Sequence, residues 1–261
     1  MNRPVSIALL LVLACALSAC VAPGTPSRIG DYVTRDEHVP ADAVIAIPDQ
    51  QPVQAGLLVI SDKANPGSGP GLPEEALARF SEDLREEFGQ GLPFRITQIV
   101  QADGIAPNPG GGDSAQFREL GSKYHLDHLA VVVISCTEVE YPKDLDLGGP
   151  TQGTPGLQRD SYSRAELALL DLRTGQTLMQ AEGQGWATLV RPYVPGVSPR
   201  YPVVYIRPGE QRRIWPPTWE GAPDTLRVVS FNLAGKALAS RLNQVWLSYL
   251  QGRAAAGAAG K

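Results

Sequence analysis

The chain has 261 residues, 43% of them apolar, with 23 basic and 27 acidic side chains and a formal net charge of −4. That apolar share supports a real core, so the chain is not disordered as a whole, and its length suits one large domain or two small ones. The mildly acidic balance excludes the basic stripe that duplex nucleic acids require, and no nucleic-acid partner is expected.

The first element is an amino-terminal signal. Arg3 supplies a short positive region, and the apolar run 7–17 has the length of a secretory signal, too short to cross a bilayer comfortably. The run closes on Leu17-Ser18-Ala19-Cys20, which resembles a bacterial lipobox. The resemblance implies a signal peptide over 1–19, a lipid on the Cys20 thiol and membrane attachment through acyl chains. Each buried methylene of such chains contributes about 0.8 kcal/mol, and two or more chains suffice for a stable anchor. Val21, where an aspartate would signal retention, resembles the default outward sorting pattern and implies the outer membrane, facing the periplasm or the cell surface. Cleavage removes Arg3 alone among the charged residues, which takes the net charge from −4 to −5. Cys15 leaves with the signal and Cys20 is lipidated, so Cys136 stands alone in the apolar run 129–136, where it reads as a small buried hydrophobe.

Residues 20–42 read as the lipidated start and a flexible tether, rich in proline and glycine and without periodicity. The folded part is expected over 43–250. Residues 44–47 and 56–60 are strand candidates, and 61–73 a loop. Leu77, Phe80, Leu84 and Phe88 make one apolar stripe, which predicts a helix over 74–88 with Glu74 and Glu75 in its first turn. Residues 94–100 alternate as a strand does. Phe117, Leu120 and Tyr124 predict a second helix over 114–124. Residues 129–139 form the most continuous apolar strand, expected at the centre with both faces covered. A polar loop follows over 141–160. A hairpin then joins 164–172 to 176–189 through Arg173-Thr174-Gly175, and Gly183 and Gly185 read as a bulge in its second arm.

Residues 191–225 hold eight prolines, five aromatic residues and five arginines. Such proline density excludes a long helix or a central strand. Residues 226–250 predict a closing helix, and 251–261 a disordered tail. The fold class is therefore α/β, a single domain with a mixed sheet, ordered βαβαβ and followed by a β-hairpin and a C-terminal helix.

This order, behind a lipidated cysteine, is similar to the periplasmic domains of the curli secretion lipoprotein CsgG, the penicillin-binding-protein activator LpoB and the TolB amino-terminal domain. The carrying residues are the helix 74–88 with strand 94–100, the stretch 117–135 that leads a helix into the central strand, the hairpin 169–178 with its Arg-Thr-Gly turn, and the helix starting at 234. The proline-rich segment lies outside the likeness. Neither 141–160 nor 191–225 carries the alternating apolar arms of a membrane hairpin, so a pore is not expected. The resemblance implies a binding or scaffolding lipoprotein without catalysis.

The motifs that could carry chemistry are sparse. His125 and His128 form an H-x-x-H with Asp127 between them, but histidines at a helix C-terminus also suit the local dipole, and no metal is expected. The glycine-rich stretches 67–71 and 110–112 lack a following Gly-Lys-Ser/Thr, and no Gly-x-Ser-x-Gly occurs. No cofactor and no catalytic residue are expected. Glu138 and Glu140 read as a solvated pair. The residues singled out are Tyr193, Tyr201, Tyr205, Arg212, Arg213, Trp215 and Trp219, because tyrosine, tryptophan and arginine anchor interfaces. Docking on an envelope protein, covering the domain's own sheet, and contact with lipid headgroups or glycan are three readings open to them. The expected role is that of a non-enzymatic partner or scaffold in envelope assembly, secretion or cell-wall synthesis, with a lipid- or glycan-contacting module as the alternative. Homo-oligomerisation stays open.

Overall fold

The computed structural model describes residues 25–34, 40–47, 52–63, 68–89, 91–102, 104–108, 114–146, 153–209 and 212–259. The signal peptide and Cys20 lie outside the described residues. β2 (Val53–Ser61) runs parallel to β3 (Phe94–Val100) on one side and to β4 (His128–Leu145) on the other. β5 (Thr154–Asp171), β6 (Thr177–Pro192), β7 (Val203–Ile206) and β8 (Arg213–Ile214) continue antiparallel. The sheet is mixed and open, in the order β3-β2-β4-β5-β6-β7-β8, with the short β1 (Ala43–Val44) pairing β6. Helices α1 (Glu74–Phe88) and α2 (Ser114–Tyr124) link the parallel strands, and α3 (Ala222–Ala259) closes the chain. The domain is of the expected α/β class.

β3 and β4 flank β2 on opposite sides, so two right-handed crossovers put α1 and α2 on opposite faces. Alternation along β4 serves both. Ala130, Val132, Ile134 and Cys136 meet Phe80, Leu84 and Phe88 of α1 and Phe231, Leu238, Leu242 and Trp246 of α3. Leu129, Val131 and Val133 face Phe117 and Leu120 of α2. The central, doubly covered strand expected over 129–139 is thus present.

Four expectations need correction. The tether gives way over 25–34. Ile29, Tyr32 and Val33 are buried on the α2 face, and the Glu166 carboxylate accepts the backbone N–H groups of Arg28 (2.7 Å) and Ile29 (3.2 Å) and the Ser27 hydroxyl. The Arg28 guanidinium reaches the buried Asp62 at 2.5 Å. The polar loop 141–160 is in large part strand, because β4 and β5 stay paired out to Leu145 and Thr154. The helix of the tail region continues to Ala259. Gly183 and Gly185 are not a bulge; the register shift lies near Leu169 and Leu170. The two glycines instead let α3 lie directly on β6. A Cβ on Gly183 would stand 2.2 Å from the Leu238 nitrogen, and one on Gly185 2.1 Å from the Ser230 carbonyl. The hairpin turn itself is as expected, with Gly175 at φ 76°.

Candidate functional site

On the α2 side of the sheet, the β5–β8 end keeps its side chains at the surface. Tyr162, Trp186, Tyr205 and Arg207 are half-buried, and Tyr141 and Arg213 are exposed. The hairpin register builds this surface. Tyr162 lies opposite Trp186, and their rings stack at 5.3 Å with 24° between planes. The chain then turns so that the Arg207 N–H donates to the Trp186 carbonyl (3.0 Å). The Arg207 guanidinium consequently sits 5.8 Å from the Trp186 ring and 5.7 Å from the Tyr205 ring. Tyr205 opposes Arg213 across β7 and β8, and that guanidinium lies 5.7 Å from the same tyrosine ring. A stacked ring pair, an arginine, a third ring and a second arginine therefore follow one another from β5 to β8, each cation over a π face.

A polar network on the same face fixes this ladder from one side. Asp160 is buried and accepts from Thr188 Oγ1 (2.6 Å), the Tyr141 hydroxyl (2.8 Å) and Gln158 Nε2 (3.1 Å). Arg207 Nε donates to the same Thr188 oxygen at 3.0 Å. Burial, aided by the bond to Asp160, pushes the Tyr141 hydroxyl up to about 12, so it stays a donor at neutral pH. The amino-terminal segment reaches this face too. The Thr25 hydroxyl donates to the Tyr162 carbonyl, and Thr25 is buried.

The residues singled out from sequence are divided by the fold. Tyr205 and Arg213 belong to the ladder. Trp219 lies under the Arg191 guanidinium at 5.6 Å. Tyr201 packs against the small cluster of Leu145, Val190 and Val203. Arg212 is exposed, as are Tyr193 (52%) and Trp215 (56%). Val194 (60%) and Val197 (44%) stand out beside Tyr193. So 191–225 partly covers its own domain, through Val204, Ile206 and Ile214 beneath α3, and partly projects from it.

Sequence reasoning missed Tyr162, Trp186 and Arg207. The signal for the first pair was present: both lie equally far from Thr174, the centre of the turn, and so face each other across the hairpin. Glu138 also departs from expectation. It is not solvated but holds Arg227 in a forked pair at 2.7 and 3.3 Å, with both side chains about nine-tenths buried. His125, Asp127 and His128 line one open cleft with Arg173, and burial pushes His128 down. Among the described residues no cluster of three metal-ligating side chains occurs. No helix among them is long and apolar enough to cross a membrane.

No protein-family model matches the chain, and no curated protein matches it. Among solved structures, the chain is similar to a protein described as a homolog of neuraminyllactose-binding hemagglutinin from Helicobacter pylori. The identity is 10%, with 79% of this chain and 91% of that one covered, at a TM-score of 0.36. It is also similar to the PelC dodecamer from Paraburkholderia phytofirmans at 9% identity, over 76% of this chain and 94% of that one, with a TM-score of 0.32. A hypothetical protein from Chlamydia trachomatis follows at 13% identity, over 76% and 96%, with a TM-score of 0.29.

Proposed function

We propose that this chain is an outer-membrane lipoprotein, acylated at Cys20, that works without catalysis as a docking partner or scaffold for another envelope protein. Envelope assembly, secretion and cell-wall synthesis are the settings it suits. The observation that carries the reading is the group Tyr193, Val194, Val197 and Trp215. These are large apolar side chains in a segment that sends Val203, Val204 and Ala222 into buried clusters, yet each is left 44–60% exposed. Exposed apolar groups among arginines have the composition of an interface centre. The kinship with the CsgG, LpoB and TolB amino-terminal group is part of the same proposal, and rests on the residues quoted for it.

The test is capture of envelope proteins by the full acylated chain, with a Tyr193→Ala/Trp215→Ala double variant beside it. Loss of a specific companion is expected, at a stability change within about 0.5 kcal/mol, as befits surface substitutions. Undiminished capture by a folded double variant would overturn the assignment of this surface.

A further inference from the structure

We infer that the Tyr162–Trp186–Arg207–Tyr205–Arg213 ladder is the side of the domain turned to the bilayer, where its arginines meet anionic phospholipid headgroups. This rests on the acylation of Cys20 proposed above and adds an orientation to it. The chain is pinned to the ladder face at Thr25, whose buried hydroxyl bonds the Tyr162 carbonyl, and the next residues are held by Glu166. Four residues lie between Cys20 and Thr25, and the five steps that join them span at most about 18 Å. The acylated residue therefore stays near the first ring of the ladder. The opposite side of the sheet is covered by α1 and α3, each about 10–12 Å thick with side chains. A leash of that length cannot pass around the sheet edge and beneath those helices. The ladder side is the side the anchor holds to the membrane.

The chemistry of the surface fits what it would meet. Arg207 and Arg213 stand over the rings of this face, in a chain whose net charge is −4. Arg212 and Arg213, at the outer edge, are exposed. Cations near an anionic leaflet are attracted within a Debye length. Half-buried tyrosine and tryptophan rings suit headgroup depth, where such side chains are enriched.

The acylated full chain, confirmed by mass spectrometry, is reconstituted into phosphatidylglycerol vesicles or phosphatidylcholine vesicles. A fluorophore is placed through Gln184→Cys, exposed on the ladder face, or Lys236→Cys, exposed on α3. Brominated lipid is expected to quench the first probe strongly and the second weakly. Arg212→Glu/Arg213→Glu should reduce quenching of the first probe several-fold in phosphatidylglycerol and leave it unchanged in phosphatidylcholine. Equal quenching of the two probes, stronger quenching at 236, or indifference to charge reversal and lipid charge would overturn the orientation. A chain found unacylated would overturn the anchor instead, a failure the mass spectrum separates from the first.

Discussion

The Cys136 thiol lies on the α1–α3 side of β4, 2% exposed, and burial pushes its ionisation up to about 12. A thiol that keeps its proton at neutral pH is a poor nucleophile. Native protein should therefore resist iodoacetamide at neutral pH and react fully once unfolded; native labelling at the rate of a free thiol would contradict this burial. The Glu138–Arg227 fork sets a larger penalty. Arg227→Ala leaves a mostly buried carboxylate with, among the described residues, the more distant Arg159 at 3.6 Å, and a loss of about 3 kcal/mol in urea unfolding is expected. Glu166 gives a pH signature. Burial raises its folded ionisation above the ordinary 4.5, against the pull of the Arg28 and Ile29 N–H groups and the Ser27 hydroxyl. The folded chain thus holds this proton more tightly than the unfolded chain does. The stability the group contributes is fully present below 4.5 and is lost as pH rises through the folded value. The advantage of wild type over Glu166→Gln, which cannot titrate, should shrink across that window, as read from urea midpoints; an advantage that grows would reverse the sign.

Helix α3 shows how one substitution changes sign with its place in an element. Gly183→Ala or Gly185→Ala in β6 drives a methyl into the α3 backbone, and each should cost about 3 kcal/mol. Gly252→Ala, in the exposed last turns of α3 with nothing within 4 Å of the added Cβ, should raise stability by up to about 1 kcal/mol. Thermal unfolding of the three variants reads both directions. The same contrast explains what the sequence could reveal. α1, α2 and the run through β4 were legible because each buries a regular stripe, and the stripe is written in neighbouring residues. The role of Gly183 was not, since what approaches it is Leu238, far along the chain. The docked segment 25–34 carries a linker's composition, and its partners, Glu166 and Asp62, are distant in sequence. The outer halves of β4 and β5 were hidden for another reason. One face of them carries the polar groups of Tyr141, Lys143, Gln158 and Asp160, so no apolar alternation marks them as strand. The candidate surface was legible as a composition but not as an arrangement: arginine and aromatic residues were visible, and only the pairing of strands showed which alternate in space.

At the scale of the whole molecule, α3 divides into a half that the domain needs and an end that it does not. Phe231, Leu238, Leu242 and Trp246 are buried against the sheet, whereas residues 251–256 are exposed throughout. Truncation after Gln251 should leave stability within about 0.5 kcal/mol. Truncation after Gly235 removes Leu238, Leu242 and Trp246 and should abolish cooperative unfolding, as followed by hydrogen exchange. The longest coherent feature is the ribbon of β4 and β5, whose partners run without interruption from His128↔Asp171 to Leu145↔Thr154. Eighteen residues at about 3.4 Å each extend roughly 60 Å, well beyond the length of either shorter helix. A load applied along this axis falls on every rung of the ribbon together, whereas one applied across it would open them singly. The amino-terminal segment bonds this ribbon at Tyr162, midway along β5, so a pull through that segment enters at the ribbon's middle and is shared by the rungs on both sides of it.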